Sequence, residues 1–83
     1  MFTVYVLYSK YYNKIYIGQT SDIDKRIAEH NAGLSGYTKR YIPWEIILTE
    51  EFETRSQSMK REKELKSERG RRFIWELLSG GVR

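Results

Sequence analysis

The sequence predicts an α+β domain in which a small three-stranded antiparallel sheet is flanked by helices. Three observations predict it. Two segments rich in β-branched and aromatic residues, 2–8 and 14–18, are separated by a short polar stretch; a third such segment, 44–49, follows Pro43; and helical patterns with capping signals lie between and after them.

Residues 2–8 alternate, with Phe2, Val4 and Val6 on one face and Thr3, Tyr5 and Leu7 on the other, and 14–18 resume the alternation after a hairpin loop. In that register Tyr5 and Tyr16 lie opposite the Val4/Val6 and Ile15/Ile17 sides, so both hydroxyls reach one surface, with Gly18 leaving space beside them. Ser21 is the expected cap of a helix from Asp22, with Gly33 ending it. On that helix Arg26 and His30 flank the apolar stripe of Ile23 and Ile27. Residues 33–43 hold Gly33, Gly36 and Pro43 without clean periodicity and read as a loop or a short irregular helix. Thr54 with Gln57 forms a capping box for a helix to about Lys66, on which Glu62 faces the least polar arc between Met59 and Leu65. A last helix, 71–79, sets Phe73, Ile74, Leu77 and Leu78 at core spacing, with Gly80 and Gly81 closing it.

Composition excludes several classes of function. The chain has 83 residues, 40% of them hydrophobic, which fits one domain spanning 1–83. With no cysteine and one histidine, a disulfide framework, a thiol nucleophile and the usual zinc sites are excluded, and a reducing cytoplasm is the expected location. The longest apolar run is about five residues, short of the roughly 18 that cross a bilayer, so no membrane association is expected. No glycine-rich loop joins a strand to a helix, so no nucleotide cofactor is expected, and His30 has no adjacent nucleophile in a strained turn. The net charge of +4 is uneven: residues 1–51 carry six Lys/Arg and six Asp/Glu, residues 52–83 nine and five. A polyanion would meet the second part, while all seven tyrosines lie between Tyr5 and Tyr41.

These residues resemble the GIY-YIG nuclease superfamily in its small standalone form. Tyr5-Val6-Leu7 stands at the first tripeptide and Tyr16-Ile17-Gly18 reproduces the second. Arg26-x3-His30, Asn31-x-Gly33, a Thr38…Pro43 loop and Arg61-Glu62-Lys63-Glu64-Leu65-Lys66 follow in the family's order. The resemblance implies endonucleolytic hydrolysis of DNA with one Mg²⁺ or Mn²⁺ ion, Glu62 as its protein ligand and Arg26 on the scissile phosphate. It implies a tyrosine as general base, Tyr5 first and Tyr16 second, with His30 relaying a proton or donating to the phosphate. A lone carboxylate suits a hard cation that keeps its waters, and a guanidinium offsets charge developing on phosphate. Lys60, Arg61, Lys63, Lys66, Arg69, Arg71 and Arg72 would anchor DNA without regard to sequence.

Each residue also has an ordinary reading. Strand tyrosines pack across strands, Arg26 pairs with Asp22, Glu62 pairs with Lys66, His30 sits at the edge of the core, and a basic run is a solvated face. The chain lacks the literal Gly-Ile-Tyr, has Ser58 where alanine is common as a simple size match, and shows no asparagine after the last helix. Relatives such as phage homing endonucleases and the excision-repair incision subunit borrow affinity from an attached DNA-binding domain. Without one, cutting would be structure-directed or weakly specific, and affinity would come from a protein partner or a homodimer. The rival function is a catalytically idle nucleic-acid-binding module that keeps the fold and the basic face.

Overall fold

Alternation along the first strand creates two dissimilar faces, and in the computed structural model, which describes residues 1–80, both are covered. β1 (Phe2–Ser9) is central, with β2 (Lys14–Thr20) and β3 (Glu45–Phe52) antiparallel on either side, in the order β2-β1-β3. Tyr5 pairs with Gly18 on β2 and with Thr49 on β3, and an irregularity between Val6 and Leu7 shifts the β3 register. The hairpin turns through Asn13, whose φ of 53° suits asparagine and whose Oδ1 accepts from the Tyr8 hydroxyl at 2.9 Å.

One face packs Val4, Val6 and Ile17 against Leu65 and Ile74 of α2 (Arg55–Lys66) and α3 (Glu68–Leu78). The other packs Tyr5, Leu7 and Trp44 against Ile23 and Ile27 of α1 (Ile23–Asn31), with Tyr16 and Tyr41 alongside. A short 3-10 turn, Thr38–Tyr41, and a cis Ile42–Pro43 bond connect α1 to β3. Among the described residues no helix is long and apolar enough to cross a membrane.

Several boundaries differ from the sequence expectation. Asp22, not Ser21, caps α1: its carboxylate accepts from the Lys25 amide, while Gly33 follows the helix at φ 79° as expected. β3 starts after Trp44 and continues to Phe52 because β1 is long enough to pair with it throughout. The Thr54/Gln57 capping box and the end of α2 at Lys66 stand as expected. α3 starts three residues before 71, since the Ser67 hydroxyl oxygen accepts from the Gly70 amide and supplies an N-cap. Met59 and Phe73 are exposed, because no element covers their side of α2 and α3. Gly80 adopts φ 66° beyond α3; Gly81, expected to help close that helix, lies outside the described residues.

The α2–α3 joint requires Gly70. A Cβ there would collide with the Glu64 carbonyl oxygen and the Leu65 Cα, backbone atoms that cannot rotate away. Gly70→Ala is therefore expected to cost about 1–3 kcal/mol by overpacking, more than the ~1 kcal/mol that alanine returns in helix propensity. Gly36→Ala, with no atom within 4 Å, serves as the control with little change; urea midpoints of both variants check the difference.

Candidate active site

The site is built from the register of the first hairpin. Because Gly18 faces Tyr5 and carries no side chain, the phenol lies across β2: a Cβ at Gly18 would sit 2.6 Å from the Tyr5 hydroxyl and 3.1 Å from the Tyr16 ring. Tyr5 and Tyr16 thus share one surface, their ring centroids 6.3 Å apart. The expected placement of both tyrosines and the space left by Gly18 are observed.

His30 comes to this surface from α1. It is wholly buried, not at the edge of the core, and both ring nitrogens are engaged: Nε2 lies 2.9 Å from the Tyr5 hydroxyl and Nδ1 2.8 Å from Thr38 Oγ1. The segment carrying Thr38 is itself fixed, since the Trp44 indole N–H donates to the Thr38 carbonyl at 2.8 Å. Asn31 completes the fastening, exchanging hydrogen bonds with the Trp44 backbone at 2.7 and 3.1 Å. Thr38 is a positioning residue that sequence reasoning left in a loop motif without a role. Its only signal was its place between the helix end and Pro43.

Arg26 reaches the rim of the same surface. Its guanidinium donates to Glu29 and to Ser35 Oγ, each at 3.1 Å, and not to Asp22, whose carboxylate is occupied capping the helix. About a third of the side chain remains exposed, which leaves it accessible to an anionic substrate. Glu62 enters from the opposite side, on α2. Ser58, one turn earlier and wholly buried, lies with its hydroxyl 2.8 Å from the Arg55 carbonyl oxygen of its own helix and 3.1 Å from Gln19 Oε1 on β2, next to Gly18. Glu62 is 21% exposed and pairs with Lys66 Nζ at 2.8 Å, as the ordinary reading anticipated.

Burial pushes the Tyr5 phenol above its ordinary value, the Arg26 guanidinium alongside pulls it down, and Tyr16 and Glu62 add to the rise. The well-formed hydrogen bond of Tyr5 goes to His30. Burial likewise lowers the His30 pKa, and the Arg26 charge lowers it further while Glu29 opposes. Both groups are therefore neutral at pH 7, with Arg26 and Glu62 as the charges around them. Glu62 offers one partly exposed carboxylate, the donor type a hard divalent cation takes, now paired with the half-exposed Lys66; among the described residues no cluster of three or more His, Cys, Asp or Glu is present.

The anticipated basic anchor divides. A groove of about 710 Å³ runs along α2 and α3 with Lys60, Lys63 and Arg69 over Leu65 and Phe73, and shares no lining residue with the tyrosine surface. Arg61 also borders it, but is bound to both carboxylate oxygens of Glu50, at 2.7 and 3.2 Å. Lys66 pairs with Glu62, Arg71 donates to the Lys66 carbonyl, and Arg72 pairs with Glu68.

The buried imidazole has a consequence for stability. Its folded pKa lies below the unfolded value of about 6.5, so the unfolded chain binds more protons and stability is lost as pH falls below 6.5. As His30 is the only histidine, melting curves from pH 7.5 to 5 should show a decline that a His30→Gln variant lacks; a wild-type curve flat over that range would contradict the assignment.

Residues 1–74 match the family described as the GIY-YIG catalytic domain. A UPF0213 protein of Natronomonas pharaonis is 43% identical over 54 residues, 64% of each chain, and one of Listeria welshimeri is 49% identical over 51 residues, 60% of this chain and 57% of that one. These alignments span less than two thirds of those relatives. The solution NMR structure of a UPF0213 protein from Bacillus halodurans superposes with a TM-score of 0.55 at 32% identity, over 93% of this chain and 85% of that one. With the sheet order, the paired tyrosines and the match over 1–74 together, the chain belongs to the GIY-YIG catalytic domain family.

Proposed function

We infer that the protein is a metal-dependent endonuclease that hydrolyses DNA phosphodiester bonds. The observation that carries this reading is the buried Tyr5–His30–Thr38 chain, whose Tyr5 hydroxyl is within the electrostatic reach of both Arg26 and Glu62, two charges of opposite sign. Family membership supports the same class of chemistry.

A neutral buried phenol is a poor base by itself, with an ordinary pKa near 10. His30 removes the difficulty. In the tautomer with its proton on Nδ1, donated to Thr38, Nε2 accepts from the Tyr5 hydroxyl. Tyr5 then takes a proton from the attacking water as it passes its own to His30, the water oxygen bonds to phosphorus, and the opposite P–O bond breaks. Tyr16 flanks this path, its ring centroid 5.0 Å from that of His30. Arg26 holds the phosphate and stabilises the charge that grows on its oxygens. Glu62 is the residue that would hold one Mg²⁺ or Mn²⁺ ion, whose Lewis acidity supplies further stabilisation. Lys60, Lys63 and Arg69 on the groove, with the outer faces of Lys66, Arg71 and Arg72, hold the DNA backbone.

Purified protein with Mg²⁺ should cut DNA, and Arg26→Ala and Glu62→Gln should each reduce the rate by about 100-fold or more while remaining folded. Binding without cutting, across several metals, would select the catalytically idle module instead.

The basic groove is tested separately. Lys63→Ala should weaken DNA binding alike for all sequences and reduce the slope of log affinity against log salt by about 0.9. Arg61→Ala should in addition lower the melting temperature, because it leaves the half-buried Glu50 without its partner.

A further inference from the structure

The tyrosines do not stop at the site. From Tyr16, whose ring lies against His30, a path of rings leads to the surface: Tyr37 at 6.4 Å and nearly parallel, Tyr41 at 5.2 Å from Tyr37, and Tyr12 at 5.4 Å from Tyr41. Tyr37 and Tyr12 are about half exposed, at 51% and 52%. Neither is needed to fill the core, which Tyr5, Leu7 and Trp44 occupy on this side of the sheet.

Cations surround this path. Lys14 Nζ lies 5.5 Å from the Tyr41 ring centroid, and Lys39 and Arg40 are exposed on the 3-10 turn. The segments that supply the surface, residues 8–20 and 32–44, contain Lys10, Lys14, Lys39 and Arg40 and no Asp or Glu. The even charge balance of residues 1–51 conceals this, because their acidic residues lie on α1 and its N-cap and on β3. Exposed rings with cations between them, leading to a phosphate-handling centre, have the composition of a surface that stacks unpaired bases while holding their backbone.

We propose that Tyr12, Tyr37 and Tyr41, with Lys14, Lys39 and Arg40, bind a single-stranded DNA segment whose bases stack on the tyrosines and whose continuation delivers the scissile phosphate to Tyr5 and Arg26. The proposal rests on the endonuclease reading for its direction toward the site, and it specifies the substrate class: DNA with an unpaired strand beside the cut. Duplex DNA keeps its bases paired and cannot use the rings.

The test is binding without metal, so that it stays separate from cleavage. Fluorescence anisotropy with a labelled 12-nucleotide oligodeoxythymidine, a 12-base-pair duplex and a 12-nucleotide oligouridine is measured for wild type, Tyr12→Ala, Tyr37→Ala and Tyr37→Phe, each verified as folded by circular dichroism. The expected result is preference for the single-stranded DNA. Each alanine variant should weaken it by about tenfold, while the phenylalanine variant retains binding and duplex affinity is unchanged. Equal affinity for single strand and duplex, preference for the RNA strand, or alanine variants that bind as wild type would overturn the proposal.

Photo-crosslinking of 5-iododeoxyuridine DNA to the wild-type protein covers the case of a variant that does not fold. Crosslinks within 8–20 and 37–44 support the surface, and crosslinks confined to α2 and α3 overturn it. Cleavage lost in Arg26→Ala and Glu62→Gln despite a failed stacking test would leave the endonuclease reading intact.

Discussion

The absent side chain at Gly18 is the constraint on which the rest of the site depends. Opposite Tyr5 in the β1–β2 pairing, any Cβ would occupy the position of the phenol. With that space open, Tyr5 lies across β2 and its hydroxyl meets His30; with His30 held there, Thr38 is drawn to the other ring nitrogen, and through Trp44 and Asn31 the turn and the end of α1 lock onto the start of β3. The order in which these contacts follow from one another is geometric, and each link buries a polar group that has found a partner.

The electrostatic arrangement has the same logic. Burying an ion without a counterion is expensive, and the two groups at the centre, Tyr5 and His30, both have pKa values displaced in the direction that keeps them neutral. The charged groups, Arg26 and Glu62, sit at the rim with partial access to water and with exchangeable partners in Glu29 and Lys66. Keeping the buried pair neutral and leaving the charges where solvent reaches them avoids the desolvation cost; under the endonuclease reading it still allows a proton to move along the Tyr5–His30 hydrogen bond.

What was legible in the sequence was local or periodic. Alternation in residues 2–8 and 14–18 set the faces of Tyr5 and Tyr16, the capping box fixed the start of α2, and helical spacing put Arg26 and His30 on the same side of α1. The misjudged points are those where two local solutions compete or where a helical face has no partner. Ser21 and Asp22 are both good caps, and only the geometry of the chain leaving β2 selects Asp22. Met59 and Phe73 fit an apolar stripe by angle, but nothing packs over them. Thr38 holds His30 from 8 residues away in sequence, and the Ser58 hydroxyl lies beside Gln19 from 39 residues away, separations at which no periodicity carries information. Charge balance over half a chain is likewise coarse: the even count in residues 1–51 includes two short segments, 8–20 and 32–44, that hold only cations.

Two cationic surfaces with different chemistry therefore border the site. The groove along α2 and α3 offers Lys60, Lys63 and Arg69, with Glu64 among them, over an aliphatic and aromatic floor; under the endonuclease reading these cations meet the sugar–phosphate backbone and not the bases. The surface beyond Tyr16 offers rings, which bind bases only when these are unpaired. Glu62 lies on the helix that carries Lys60 and Lys63, and its charge is felt at Tyr5. Under the endonuclease reading, a substrate that satisfied both would be paired along the groove and unpaired along the rings. Discrimination of this kind requires no base-specific contact, since the rings are usable only by unpaired bases whatever their sequence.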